Sequence, residues 1–327
     1  MYELLVPEII KFNHQHAFDP THGYSYAQLK EVGHPPVFPE FIKFWEDTYA
    51  ETLRIPLNIR IEDTGKIYEG RKVLKIFFQS LGSYTTGAWL LEPLQEEIVA
   101  GLVVGHGYGG RENHTTSVLP KNTVILMPVA RGFHISASPG YPGESSKHVI
   151  HHIEDKYEYS LRGCVAEQWG AVSCLYEMYP QIKTCSYSGS SFGGGLGALM
   201  VPFEQRLSRF HLSVPTFGNH PIRLQIPSTG SGESVRIYSK LSQNAVDNTL
   251  PYFDAATAAS LIKIPALISP ALFDPAVPPP GQFSVANAIP GEKEVWVFQT
   301  GHFDTKISIQ EDRMLNIKLK NFFEQEI

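Results

Sequence analysis

The sequence predicts an α/β fold, a doubly wound and mostly parallel sheet with helices on both faces. Two observations predict it. From Pro56 onward, short apolar runs alternate with longer segments whose apolar residues recur at helical spacing. Near-continuous apolar runs are typical of parallel strands covered on both faces, and the alternation of strands with helices is typical of doubly wound sheets.

The first elements differ from the rest of the chain. Residues 1–55 are predicted to form an N-terminal extension that ends in a helix over Pro39–Thr52. Arg71–Ser80 and Thr86–Leu91 are predicted as two early, antiparallel strands. The apolar runs that follow are predicted as the parallel strands: Val99–Gly105, Asn122–Pro128, Ile182–Ser188, Phe210–Val214, Ile264–Ser269 and Glu294–Phe298.

Three later segments have helical spacing, and one segment interrupts the alternation. The helices are predicted over Cys164–Tyr179, Gly194–Leu207 and Ile307–Glu326. The stretch 215–251 is rich in Ser, Asn, Gly and Pro, and we interpret it as an insertion or cap. Because no low-complexity linker divides the chain, we expect residues 1–327 to form a single domain.

Composition excludes several classes of function. The chain has a net charge of −6, whereas nucleic-acid-binding proteins usually carry a basic surface patch. An acidic chain also gives no reason to expect an anionic membrane as partner. The N-terminus has no basic segment followed by an apolar one, so we expect no signal peptide. The three cysteines lack CxxC spacing, which favours buried reduced thiols. We therefore expect a cytoplasmic protein.

A G-x-S-x-G pattern lies between a predicted strand and a predicted helix. It is centred on Ser191 and flanked by Gly189 and Gly193. In this context the serine lies on a strained turn at the carboxyl edge of the sheet, and small neighbours are needed for the turn to fit. The alternative is a Gly-rich turn that only allows a helix to pack against the sheet.

A serine nucleophile needs a base, and the base needs a carboxylate to orient it. Asp274 follows the predicted strand Ile264–Ser269, and His302 follows the predicted strand Glu294–Phe298. The order serine, acid, base, with acid and base after successive strands, is typical of the α/β-hydrolase fold. We therefore predict Ser191, Asp274 and His302 as a catalytic triad.

The loop after Val99–Gly105 is a candidate oxyanion hole. It contains His106–Gly110, an HGGG-type sequence, and we predict backbone N–H groups of Tyr108 and Phe192 as the two donors. The same loop formally matches a dinucleotide-binding fingerprint, G-x-G-x-x-G. That motif should open a helix and be followed by an acidic residue roughly 20 positions on. No Asp or Glu occurs between Glu112 and Glu144, which disfavours nucleotide binding.

A histidine cluster offers an alternative chemistry. His148, His151 and His152 lie near Glu154 and Asp155, a spacing that permits two imidazoles on one helical face. No HExxH motif and no distant ligand accompany them. We therefore favour a polar loop or a subunit contact, and we expect neither a metal nor a cofactor.

These motifs together resemble the acetyl xylan esterase/cephalosporin-C deacetylase family, carbohydrate esterase family 7. The resemblance covers about residues 35–325. It is carried by PEFIKFWEDTYAET at Pro39–Thr52, HGYGG at His106–Gly110, Arg131-Gly132, Arg162-Gly163, SGSSFGGGLG around Ser191, and the segment from LFDPAVPPPGQF to Gly301-His302. Phe192 stands where the family usually has Gln, Val277 where it has Cys, and Gly132-Phe133-His134 departs from its RGQG.

The resemblance implies a cytoplasmic, homo-oligomeric serine esterase that deacetylates small acetylated sugars without a cofactor. It assigns the nucleophile to Ser191, the acid to Asp274 and the base to His302. The oxyanion donors are then the backbone of Tyr108 and Phe192. Two alternatives stay open from the residues alone: a peptidase or thioesterase on the same fold, and a non-catalytic, sugar-binding or scaffold protein.

Overall fold

The computed structural model describes residues 9–325, with only the backbone for residues 244 and 245. The first eight residues of the predicted N-terminal extension and Glu326 of the predicted last helix lie outside the described residues. Within them, a nine-stranded sheet has the order β1-β2-β3-β5-β4-β6-β7-β8-β10, and a two-stranded sheet pairs β9 with β11. The strands are β1 (Arg60–Tyr68), β2 (Arg71–Ser80), β3 (Tyr84–Pro93), β4 (Ala100–Gly105), β5 (Thr123–Pro128), β6 (Thr184–Ser190), β7 (Leu207–Ser213), β8 (Ala266–Ser269), β9 (Ala271–Phe273), β10 (Lys293–Val295) and β11 (Phe298–Thr300).

The predicted fold class is confirmed. Strands β1, β2, β3 and β5 pair in antiparallel fashion, and every pairing from β5 to β10 along the rest of the large sheet is parallel. The predicted early strands are therefore antiparallel, as expected, and Arg71–Ser80 has the predicted bounds. One hydrophobic core runs through the sheet and the helices packed on it.

The helices are α1 (Tyr26–Lys30), α2 (Pro39–Leu53), α3 (Ser145–His148), α4 (Ser160–Met178), α5 (Phe192–Met200), α6 (His220–Arg223), α7 (Gly232–Leu241), α8 (Gln243–Thr249), α9 (Ala255–Ala259), α10 (Pro279–Ala288) and α11 (Lys306–Glu324). Helices α4 and α5 pack on one face of the sheet, whereas α11 packs by the β9–β11 pair. Within the described residues, no helix is long and apolar enough to cross a membrane.

Two predicted elements were wrong in their extent. The predicted helix Gly194–Leu207 begins earlier and ends at Met200, because Pro202 lies in a 3-10 turn and Leu207 already belongs to β7. The predicted strand Glu294–Phe298 is two short strands, β10 and β11. Its partner strand is interrupted at Pro270, which has no N–H to donate to the ladder.

Other elements were not predicted. Strand β1 extends the antiparallel edge, and the segment 215–251 contains the three helices α6, α7 and α8. Its composition, rich in Ser, Asn, Gly and Pro, led us to interpret it as an insertion or cap and did not predict these short helices. Helix α10 also went unpredicted, since its two opening prolines and the proline before them obscured the pattern, although proline is tolerated in the first turn of a helix.

Candidate active site

Ser191 lies at the turn between β6 and α5, where the sequence pattern predicted it. Its backbone has φ 55° and ψ −109°, a strained conformation for a residue with a side chain. The flanking glycines are required by close approach. A Cβ on Gly189 would lie 2.3 Å from the carbonyl oxygen of Gly193, and a Cβ on Gly193 would lie 2.7 Å from the backbone of Gly105.

The structure brings the three predicted residues together. His302 Nε2 lies 2.9 Å from Ser191 Oγ, and His302 Nδ1 lies 2.8 Å from Asp274 Oδ2. Asp274 follows β9 and is fully buried, whereas His302 follows β11 and its side chain is 30% exposed. This is the arrangement in which a base takes the serine proton while a buried carboxylate orients the ring.

Asp274 is held by several donors besides His302. Its Oδ1 accepts hydrogen bonds from the backbone N–H groups of Ala276 (2.8 Å) and Val277 (2.9 Å). Its Oδ2 accepts a hydrogen bond from Gln282 Nε2 at 2.8 Å. Sequence reasoning missed Gln282 as a site residue. The only signal was its place in the PPPGQF segment, since spacing alone does not reveal which buried amide faces a carboxylate.

Electrostatics favour the protonated form of His302 in the folded state. Burial by itself lowers the pKa of His302, but the charge of Asp274 and the hydrogen bond to it outweigh burial, so the net pKa is raised. A protonated His302 is therefore stabilised by Asp274.

The two predicted oxyanion residues are packed against each other. The ring centroids of Tyr108 and Phe192 are 4.1 Å apart. The loop that carries Tyr108 is tied to the serine turn, because Gly193 N–H donates to the carbonyl of His106 at 2.8 Å. Within residues 9–325, neither the Tyr108 nor the Phe192 amide donates to another protein group, so both stay available for a ligand oxygen.

The position of His148 differs from the expected polar loop or subunit contact. It is fully buried, with Nε2 3.1 Å from the carbonyl of Arg131 and Nδ1 3.1 Å from the Tyr108 hydroxyl. A carbonyl only accepts, so Nε2 carries the proton and Nδ1 accepts from Tyr108. Burial lowers the pKa of His148 to about 3, which keeps it neutral. His148 therefore supports the loop that carries Tyr108.

The other histidines of the cluster do not join it in a metal site. His151 and His152 contact each other, with ring centroids 4.1 Å apart. Within the described residues, no group of three or more His, Cys, Asp or Glu side chains could hold a metal ion.

The structure around Gly105 does not fit the dinucleotide-binding alternative. Gly105 ends β4, and the residues that follow form a loop up to β5 with no helix in between. The fingerprint needs a helix N-terminus directly after the strand to receive the pyrophosphate. No such helix is available here.

A pocket of about 360 Å³ opens over Ser191 and His302. Tyr108, Thr216 and Val277 contribute to its walls. Gly230 and Ser231 of the predicted insertion line it as well. The segment 215–251 therefore forms part of the pocket around Ser191.

Comparison with known proteins gives the family. A family model described as acetyl xylan esterase (AXE1) matches residues 26–321. The fold is similar to acetyl xylan esterase 1 from Thermoanaerobacterium sp. JW/SL YS485, with TM-score 0.77 and 20% identity over 92% of this chain and 99% of that one. It is also similar to the acetyl xylan esterase from Paenibacillus sp. R4, with TM-score 0.76 and 19% identity over 90% and 98% of the two chains.

A more distant likeness to a peptidase does not decide between the alternatives. Acylaminoacyl peptidase from Pyrococcus horikoshii matches with TM-score 0.57 and 13% identity over 79% of this chain but 42% of that one. That likeness shows a shared fold only. The family match confirms the predicted carbohydrate acetyl esterase over the peptidase, thioesterase and non-catalytic alternatives. The chain belongs to the acetyl xylan esterase family.

Proposed function

We propose that Ser191, His302 and Asp274 are the catalytic triad of this esterase, which removes acetyl groups from small acetylated carbohydrates. The observation that carries the proposal is the continuous hydrogen-bond chain from Ser191 Oγ through His302 to the buried Asp274. Every member follows the carboxyl end of a strand, so all three side chains meet at one edge of the fold.

The reaction runs in two halves through an acyl-enzyme. His302 takes the proton of Ser191 Oγ as the oxygen attacks the ester carbonyl, and Asp274 stabilises the resulting imidazolium. His302 then gives the proton to the departing sugar oxygen, leaving an acetyl group on Ser191. Water attacks this ester, again with His302 as base, and acetate leaves with Ser191 restored.

Negative charge develops on the carbonyl oxygen in each tetrahedral intermediate. We assign its stabilisation to the backbone N–H groups of Tyr108 and Phe192. This assignment is supported by their free amides and by the packing that fixes them: the two rings contact each other, and His148 accepts from the Tyr108 hydroxyl. Phe192 replaces the Gln usual in the family, but a backbone donor does not depend on the side chain.

The size and the lining of the pocket are evidence for a substrate with a short acyl group. Val277 and Thr216 lie beside the triad in a pocket of about 360 Å³, near the lower end of the range for small-molecule sites. We therefore propose that acetyl esters are hydrolysed faster than esters with longer chains. A series of 4-nitrophenyl esters from acetate to octanoate measures this preference.

Substitution of the nucleophile tests the assignment. Ser191→Ala should abolish hydrolysis of 4-nitrophenyl acetate and labelling by a serine-directed phosphonate. Ser186→Ala, on the same strand but far from the pocket, is the matched control and should retain both. If Ser191→Ala keeps wild-type turnover or labelling, the triad is assigned to the wrong serine.

We further propose that the chain forms a homo-oligomer and acts in the cytoplasm. The first is supported by the edge strand β1, which exposes 52% of Ile61 and 69% of Ile67, an arrangement typical of a surface that pairs with another chain. The cytoplasmic location is supported by three free, buried cysteines, because disulfides are rare in reducing compartments. Light-scattering mass and cell fractionation test these two points.

A further inference from the structure

One face of the parallel sheet is unexpectedly polar near the site. Tyr187 of β6 points toward α5, where its hydroxyl donates to the carbonyl of Gly193. Alternation along a strand therefore directs Ser188 and Ser190 to the opposite face, the side of α11. The register pairs these serines with His211 and Ser213 of β7. A parallel sheet covered on both faces is normally apolar at such positions.

The connection above this polar face contains no helix. Parallel strands are usually joined by a helical crossover, but β4 and β5 are joined by an irregular loop over residues 106–122. The space where a helix would pack is a cavity of about 560 Å³, bounded by this loop and by α11. Gly107 and Ser190 line both this cavity and the pocket over Ser191, so the two spaces are adjacent.

The cavity contains an incompletely paired cation. Arg111 donates from Nη1 to the carbonyl of Thr115 at 2.9 Å, whereas its buried Nε has no partner within the described residues. Burial lowers the pKa of Arg111 to about 10, and no carboxylate of the described residues offsets that effect. A buried donor without a partner costs free energy unless a bound group accepts from it.

The charges of the lining indicate which kind of ligand fits. Arg111 is accompanied by Glu112 and Asp312, so the lining carries one positive and two negative groups and does not select an anion. Asn316 of α11 and several serine and threonine hydroxyls supply both donors and acceptors. A neutral, hydroxyl-rich molecule matches this mixture, because each of its hydroxyls both donates and accepts.

We propose that this cavity is a sugar subsite: it binds an unreacted sugar ring of an oligosaccharide whose acetylated ring lies at Ser191. The proposal rests on the proposed function, since it places the rest of the ester substrate. It assigns Arg111 and Asn316 to substrate binding rather than to chemistry. It also predicts that an acetylated trisaccharide is used more efficiently than an ester too small to enter the cavity.

The test compares two substrates on matched variants. Asn316→Trp fills the cavity from α11, and Ile317→Trp places the same ring on the neighbouring residue, whose side chain is 66% exposed. The measured quantity is the ratio of kcat/KM for acetylated xylotriose to kcat/KM for 4-nitrophenyl acetate. Loss of two or three hydrogen bonds should lower this ratio at least about tenfold in Asn316→Trp, and Ile317→Trp should keep the wild-type ratio.

A second variant keeps the test valid if Asn316→Trp fails to fold. Arg111→Met keeps the bulk of the side chain, removes the donors, and should lower the same ratio through a higher KM for the trisaccharide. If both Asn316→Trp and Arg111→Met keep the wild-type ratio, the cavity holds only solvent and the proposal is wrong. If instead the wild-type protein hydrolyses neither ester, it is the proposed function that fails, so the two failures are distinguishable.

Discussion

The side chain of Gln282 offers the sharpest test of how the acid is held. It is fully buried and makes three hydrogen bonds. Its Nε2 donates to Asp274 Oδ2 at 2.8 Å and to the carbonyl of Val277 at 2.6 Å, and its Oε1 accepts from Ala271 N–H at 2.8 Å. One amide therefore ties Asp274 to the strand before it and to the turn after it.

Gln282→Met keeps the length of the side chain and removes every one of these hydrogen bonds. The Ala271 N–H and the Val277 carbonyl are then buried without these partners, at a cost of about 1–3 kcal/mol each. We expect the free energy of unfolding to fall by about 2–6 kcal/mol, a large part of the roughly 5–15 kcal/mol typical of a folded domain. Urea unfolding measures the change.

Activity should respond less than stability. Asp274 keeps its donors at Ala276 and Val277, so it still orients His302 in the fraction that is folded. The control is Gln310→Met on the exposed side of α11, which should change the free energy of unfolding by less than about 0.5 kcal/mol. An unfolding free energy of Gln282→Met equal to that of the wild type would refute the reasoning.

Three further predictions concern the base, the oxyanion loop and the serine turn. Asp274→Asn should lower kcat roughly 10⁴-fold. It should also move the acidic limb of the kcat/KM–pH profile to lower pH, because only Asp274 raises the pKa of His302 against burial; an unmoved limb would contradict this. His148→Phe leaves the Tyr108 hydroxyl without its acceptor and should lower kcat more than it changes KM, in steady-state kinetics with 4-nitrophenyl acetate. Gly193→Ala forces a Cβ into strand β4 and should lower the free energy of unfolding in urea by about 1–3 kcal/mol, more than Gly33→Ala, where the added methyl group meets no neighbour within 4 Å.

The serine turn was predictable because its signal is local. A strand, two glycines around a serine and a following helix occupy consecutive residues, and the structure has Ser191 between β6 and α5. Asp274 and His302 were identified from their order and from their position after strands. That rule held although the predicted strand Glu294–Phe298 was wrong, because β11 still ends just before His302.

The contacts that support the site were not predictable from spacing. His148 and Tyr108 are 40 residues apart, and only the fold brings the ring nitrogen to the hydroxyl. The polar face of β6 is a different case, since its signal is present in the sequence. Serines at alternate positions in TCSYSGS have the period of a strand, but the segment was interpreted as an apolar run.

Asp274 and His302 follow β9 and β11, which continue β8 and β10 beyond the interruption at Pro270, whereas Ser191 follows β6 of the large sheet. The 2.9 Å contact between His302 and Ser191 therefore depends on how this short pair of strands is held in place. The N-terminal extension holds the pair from one side. The Pro20 carbonyl accepts from Asp274 N–H, and the Phe12 ring packs edge-on against Phe273 at 5.2 Å.

The segment 215–251 contacts the same turn, after β9, from the side of the pocket. Thr229 N–H donates to the carbonyl of Pro275, directly after the acid, at 2.7 Å. The N-terminal extension and the segment 215–251 thus both contact the turn that carries Asp274. A change in either segment can leave the serine turn and the oxyanion loop intact and still alter how firmly His302 is held over Ser191. Differences in these segments should therefore affect the rate of proton transfer as well as the shape of the pocket.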